Sequence, residues 1–288
     1  MTTPPWFDAA IGAAPLHHAL DVASASIAYR TWGEAGLPVV VLVHGGAAHA
    51  GWWDHVGPHL TGTHRVVAID LSGHGLSSHR EGYSLECWAQ EVMAVAEHES
   101  ATGTPPVVVG HSMGGFVALT AARDHGDRLA GAVAIDSPVR QTSTETRTWL
   151  ESNPDLPAHK VHPTREAVLA RFRTLPADDA TLDYVLRHVA EQSVHEVDGG
   201  WSWRFDPRIF LSTRMEPSSL RAATCPVALL RGERGMATHD ITATVARELG
   251  GAVPVTTIPD AGHHIMLDQP VALVAAVDVL LGQWRIHD

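Results

Sequence analysis

Gly110-His111-Ser112-Met113-Gly114 sets one hydroxyl between two glycines, each two residues away from it. A serine hydroxyl is a weak nucleophile at neutral pH. To attack a carbonyl it needs a base to take its proton, an acid to orient that base, and donors that meet the oxyanion as it forms. The flanking glycines suit the serine because a Cβ at either place would collide with neighbouring backbone in so tight a turn. Upstream, Val107-Val108-Val109 follows Pro105-Pro106 and reads as a short buried strand. Downstream, Phe116-Val117-Ala118-Leu119 reads as a helix, whose first amides and positive dipole end point back at Ser112. Strand, G-x-S-x-G and helix in that order are the setting of a nucleophile elbow.

The chain that must supply the partners has 288 residues, enough for one large core or a core with an inserted subdomain. Its net charge of −12 argues against nucleic acid or an anionic membrane as partner and leaves a small-molecule substrate. Cys87 and Cys225 are far apart and make no metal-ligand spacing, so free thiols and a reducing, cytoplasmic setting are expected. Residues 1–10 contain Pro4, Pro5 and Asp8 and no positive side chain, unlike a secretory leader, and no apolar run is long enough to span a bilayer. No heptad or apolar stripe marks an oligomer interface. His44, His49, His55, His59, His64, His74 and His79 crowd one region without a specific ligand spacing. They read as surface or loop residues, and neither a metal nor another cofactor is expected.

Buried apolar runs recur along the chain at Val39–Val43, Val66–Ile69, Val107–Val109, Leu129–Ile135, Val227–Leu230 and Val253–Ile258, alternating with helical patterns. An antiparallel hairpin is expected around Ala19–Val22 and Ser26–Arg30, a short helix at Trp52–Leu60 and a long one from Ser84 to about Glu99. Such alternation implies a mostly parallel sheet with right-handed crossovers, an α/β fold. The rhythm breaks between Val139 and Leu220, where Pro154, Pro157, Pro163, Pro176, Pro207 and Pro217 punctuate short helical pieces rich in aromatics.

His44-Gly45-Gly46, Asp70-Leu71-Ser72-Gly73-His74-Gly75, the elbow, and Ala261-Gly262-His263-His264 with Asp268-Gln269-Pro270 follow successive strands. In that order they resemble the α/β-hydrolase superfamily along almost the whole chain. The resemblance implies a mostly parallel eight-stranded sheet flanked by helices. Residues 1–138 and 221–288 would form the core, and residues 139–220 an inserted, mainly helical cap. It also implies that Ser112 is the nucleophile and His263 the base, with adjacent His264 the rival. Oxyanion donors would be the backbone N–H groups of Met113 and Gly46, with Ala47 the alternative. Asp70 would serve as a turn residue accepting loop amides.

The family's usual acid position, G-x-x-D after the strand at Val227–Leu230, reads Gly232-Glu233-Arg234-Gly235 here, so a glycine stands where Asp belongs. Glu233, Asp240, an acid from elsewhere, or none remain. Some relatives, haloalkane dehalogenases among them, place the acid one strand earlier, where this chain carries Asp136. The order Ser112, Asp136, His263 also keeps the family's nucleophile–acid–base sequence, and Asp136 is the preferred reading. A serine rather than an aspartate at the elbow argues against dehalogenase and epoxide hydrolase chemistry. The leading expectation is a cofactor-independent carboxylesterase for substrates with an apolar or aromatic group. Lactone or carbon–carbon bond hydrolysis, a perhydrolase-like activity and a non-catalytic receptor are the alternatives. His111, Trp149 and His264 are expected at the substrate, and no polar cluster for a charged substrate stands out in the cap.

Overall fold

The central strands of the sheet are buried on both faces and are therefore almost wholly apolar, Arg65 and His111 at strand ends excepted. In the computed structural model, which describes residues 3–101, 103–153 and 155–284, β3 (Val39–Val43), β4 (Arg65–Ile69), β5 (Val107–His111) and β6 (Gly131–Ile135) are buried throughout. The outer residues of the expected core segments, 1–2 and 285–288, lie outside the described residues. Strands β1 (Leu16–Val22) and β2 (Ala25–Trp32) form an antiparallel hairpin at one edge. β9 (Val227–Gly232) and β10 (Val255–Ile258) complete the other edge. The order is β1-β2-β4-β3-β5-β6-β9-β10, with β2 antiparallel to β4 and every later pairing parallel.

Side-chain alternation sorts the core into two layers. Val39, Val41 and Val43 of β3 pack with Trp88 and Val92 of α2 (Leu85–Glu99) and with Val117 and Leu119 of α3 (Met113–His125). Val40 and Leu42 turn to the opposite face, toward Leu273, Val277 and Leu281 of α9 (Pro270–Gln283) and Phe7 of α1 (Pro5–Gly12). Ser84 opens α2 by accepting the Cys87 amide at 3.0 Å, a cap worth about 1 kcal/mol. No described helix is long and apolar enough to cross a membrane.

Local departures from expectation have physical causes. The helix expected at Trp52–Leu60 is two 3-10 turns, Ala50–Trp53 and Gly57–Leu60, with Pro58 at the start of the second. Between β6 and β9 lie α4 (Thr144–Ser152), α5 (Arg165–Leu169) and α6 (Asp183–Gln192), but also a hairpin of β7 (Val194–Val197) and β8 (Gly200–Trp203). Val197 pairs with Gly200, leaving Asp198-Gly199 as a two-residue turn in which Gly199 has φ +82°. An Asp-Gly dipeptide between short β-prone runs is a hairpin signal, and here it sets two strands into a stretch expected to be mainly helical.

The histidine-rich region differs most. His44, His49, His55, His64 and His74 are buried rather than at the surface; His59 and His79 alone of the seven are exposed. Buried imidazoles survive as neutral, hydrogen-bonded rings. His44 Nδ1–H donates to the Gly45 carbonyl at 2.7 Å while its Nε2 accepts the Leu71 amide at 3.1 Å. His55 Nε2–H donates to the Met266 carbonyl at 2.6 Å. These rings pin the loops that follow the strands.

Candidate active site

Four strand ends meet at the carboxyl edge of the sheet, where ligands of open α/β sheets bind. Ser112 follows β5 with φ 53° and ψ −116°, a strained conformation for a residue with a side chain. Its amide donates to the Ile135 carbonyl of β6 at 2.8 Å, and its carbonyl accepts the amides of Gly115 and Phe116. The glycines are needed on steric grounds. A Cβ on Gly110 would run into the carbonyl of Gly114, and one on Gly114 into the carbonyls of Val43 and His44.

Ser112 Oγ lies 3.0 Å from His263 Nε2, and His263 Nδ1 lies 2.6 Å from Asp136 Oδ2. Since a carboxylate only accepts, Nδ1 carries the proton and Nε2 presents its lone pair to the serine hydroxyl. Asp136 is fully buried at the end of β6, with φ 43°. Its Oδ2 also accepts the Met236 amide at 2.7 Å and its Oδ1 the Gly232 amide at 3.1 Å. The carboxylate therefore fills the loop after β9, and this accounts for Gly235: a Cβ there would come within 2.7 Å of Asp136 Oδ2 and closer still to Oδ1. Glu233 and Asp240 are both exposed; Glu233 accepts the Asp260 amide at 3.0 Å.

His263 is held from behind. His111 Nε2–H donates to its carbonyl at 2.9 Å, and the Gly262 amide donates to Asp268 at 2.9 Å. Burial raises the Asp268 carboxyl above its ordinary range, the Gly262 and Thr181 donors opposing that rise. His111 is buried beneath the site and does not line the cavity over Ser112, which departs from its expected contact with substrate. Burial and the neighbouring histidines, His263 first, push its pKa well below the ordinary value.

Above the serine opens a cavity of about 900 Å³, lined by Ser112, His263, His264, Gly46, Met113 and, among aromatics, Phe116, Phe205 and Phe210. The amides of Gly46 and Met113 donate to no protein acceptor among the described residues. For Met113 this follows from its place as the first residue of α3. His264 borders the cavity against Trp52, with ring centroids 5.4 Å apart, and burial together with His263 lowers its pKa to about 3. Trp149 is 48% exposed on α4, a helix with no buried residue, and does not reach the cavity. Trp203 lines the cavity and its neighbour Trp201 does not. Asp70 accepts the amides of Ala50 at 2.6 Å and Leu76 at 2.9 Å, away from Ser112.

One ring nitrogen each of His111, His263 and His264 lies within 4.8 Å of the others, the one such grouping of three metal-type donors among the described residues. An ion there would take the lone pair that faces Ser112, so the donor set competes with the hydrogen-bonded relay instead of serving it.

Sequence reasoning missed the contribution of the segments around Arg140, Phe172 and Thr213, which line the cavity from three separate stretches. No motif links them; only the tertiary fold brings them together.

Comparison with known proteins agrees with this architecture. An esterase of Mycobacterium tuberculosis, Rv0045c, is 29% identical over 280 residues, spanning 91% of this chain and 89% of its own. The 2-(acetamidomethylene)succinate hydrolase of Mesorhizobium japonicum is 26% identical over 249 residues, 83% of this chain and 86% of its own. Among solved structures, a thioesterase domain from the curacin biosynthetic pathway superposes with a TM-score of 0.77 at 23% identity, covering 92% of this chain and 99% of that domain. A model of the Alpha/beta hydrolase family matches residues 40–277, and with the sheet order and the elbow in place the chain belongs to that family.

Proposed function

We propose that the protein is a serine esterase that works through an acyl-enzyme on Ser112. The observation that carries this reading is the unbroken run from Asp136 through His263 to Ser112, 2.6 and 3.0 Å, at the floor of a cavity large enough for a small-molecule substrate. Ser112 Oγ adds to the acyl carbon as His263 Nε2 takes its proton. The amides of Gly46 and Met113 receive the oxyanion, and His263 returns the proton to the departing alkoxide. Water then repeats the sequence on the acyl-enzyme. Residues 139–220 act as the cap over a core of 1–138 and 221–288. Relatives that carry the names esterase and lipase support ester hydrolysis over the other acyl chemistries.

Fluorophosphonate labelling tests the nucleophile directly. Wild type is expected to incorporate one label at Ser112 and Ser112→Ala none, read by intact-mass spectrometry. A stable, unlabelled wild type would remove every acyl-enzyme mechanism. A panel of p-nitrophenyl esters, lactones and vinylogous diketones then separates ester cleavage from its alternatives.

The fit between Gly235 and Asp136 gives a second expectation. Gly235→Ala forces the carboxylate aside, and a displacement of the order of 1 Å costs roughly 10²-fold in kcat. Thermal unfolding of the same variant separates loss of geometry from loss of fold. Esterase activity within threefold of wild type would mean that the acid does not depend on this contact.

A further inference from the structure

The wall of the cavity is electrostatically one-sided. Arg140, Arg171, Arg173 and Arg214 all line it, and no Asp or Glu does among the described residues. This runs against the chain as a whole, which has 32 acidic and 20 basic residues. None of the four arginines pairs with a carboxylate among the described residues. The nearest acid in the chain path, Glu216, is not itself a lining residue; its carboxylate is engaged by Gln141 and the Thr142 amide, which do line the cavity, and by Arg147. A sequence-level search for a charged cluster misses the four because 33 positions separate Arg140 from Arg173 and 41 separate Arg173 from Arg214.

Two of the four sit on one wall. The Arg140 amide donates to the Met215 carbonyl at 3.1 Å, which sets the chain leaving β6 beside the chain that carries Arg214. Arg214 has Arg140 as its charged neighbour, so two like charges share this wall with hydroxyls of Thr142 and Thr213. Arg171 and Arg173 spend guanidinium donors on the carbonyls of Ala167, Ala170 and Phe172, and Arg214 gives one to Phe210; Arg140 gives none to any described residue. Guanidinia that stabilise a fold recruit acids, whereas uncompensated guanidinia gathered on a cavity suit an anion arriving from solvent.

We propose that the cavity selects an ester or thioester that carries an anionic group, carboxylate or phosphate, remote from the scissile bond, with Arg140 and Arg214 as its seat. Arg171 and Arg173 add a steering field, and the apolar body of the substrate lies against Phe116, Phe205 and Phe210. The proposal rests on the acyl-enzyme reading for its chemistry, but anion binding is measurable without turnover.

The test compares matched pairs on the full chain. One arm sets mono-p-nitrophenyl suberate against its neutral methyl ester, and the other sets hexanoyl-coenzyme A against the hexanoyl thioester of N-acetylcysteamine. At least a tenfold preference in kcat/KM for the anionic member of one pair is expected, carried mainly by KM and shrinking severalfold between about 0.05 and 0.5 M salt. The arm that shows it identifies carboxylate or phosphate. In the Arg140→Gln/Arg214→Gln double variant the anionic-to-neutral ratio falls toward one, whereas Arg147→Gln, whose side chain meets Glu216 outside the cavity, keeps the ratio. Ratios near one in both wild-type pairs, or an equal change in Arg147→Gln, overturn the proposal while leaving ester hydrolysis intact. Should neither ester turnover nor labelling of Ser112 occur, the acyl-enzyme reading fails. The anion seat is then decided by calorimetric titration of suberate and coenzyme A: binding lost in the double variant supports it, and no binding in wild type overturns it.

Discussion

Replacing Asp136 with Asn is expected to lower kcat by about 10⁴-fold with little change in KM, while Glu233→Gln and Asp240→Asn stay within threefold of wild type. The reason lies in the three closest donors around one carboxylate. Oδ2 meets His263 Nδ1–H and the Met236 amide, and Oδ1 meets the Gly232 amide. An asparagine has one oxygen to offer. If that oxygen turns to the loop amides, its NH₂ group faces His263 Nδ1 and forces the proton to Nε2, leaving no lone pair for Ser112. If it turns to His263, the NH₂ group abuts the Gly232 amide, donor against donor in a buried site. The backbone tolerates the change, because Asn accepts the φ of 43° that Asp136 adopts. Steady-state kinetics on the three variants decides the matter. Near wild-type kcat in Asp136→Asn, or its loss in either other variant, would overturn the assignment.

That arrangement shows what the sequence made legible. Ser112, His263 and Gly46, the proposed nucleophile, base and oxyanion loop, stand on motifs confined to one strand end each, and at the elbow local sterics dictate the residues: Gly110 and Gly114 are glycines because carbonyls occupy the space of a Cβ. The proposed acid was harder to read because its position is a relation between two strands. Gly235 and Asp136 lie 99 positions apart, and only parallel pairing of β6 with β9 reveals that the carboxylate of one fills the volume missing from the other. The stretch between β6 and β9 was least legible. Its cavity-facing arginines and Trp203 follow no period, whereas Trp149, an aromatic in the right region, points to solvent. Fold class follows from buried runs at regular spacing, but the identity of a pocket wall depends on how irregular segments cross.

Lowering the pH from 8 to 5 is expected to bring the melting temperature down by about 10 °C. The effect comes from buried histidines, among them His44, His49, His55 and His74, which the sequence reads as surface or loop residues. Burial is the first cause lowering His49 and His55 to about 4 and His264 to about 3, with His44, His74 and His111 shifted in the same direction. In each case the folded pKa is below the unfolded value near 6.5, so the unfolded chain binds protons first. The stability that each neutral ring contributes is thus fully present above about pH 6.5. It is lost as pH falls from there toward the folded pKa. At pH 5 linkage gives about 2 kcal/mol for each of His49, His55 and His264, together about 6 kcal/mol, against a typical total of about 5–15 kcal/mol. Carboxylates do not explain a loss in this window. Asp206, held at about 2 with burial opposed by its Arg208 and Tyr83 hydrogen bonds, stays ionised in both folded and unfolded chains down to about pH 4. Scanning calorimetry between pH 8 and 5 measures the shift, and His55→Gln, which keeps a side-chain amide for the Met266 carbonyl, should flatten the curve by about 2 kcal/mol at pH 5. A melting temperature that moves by less than 5 °C across this range would show that these rings are not held neutral by the fold.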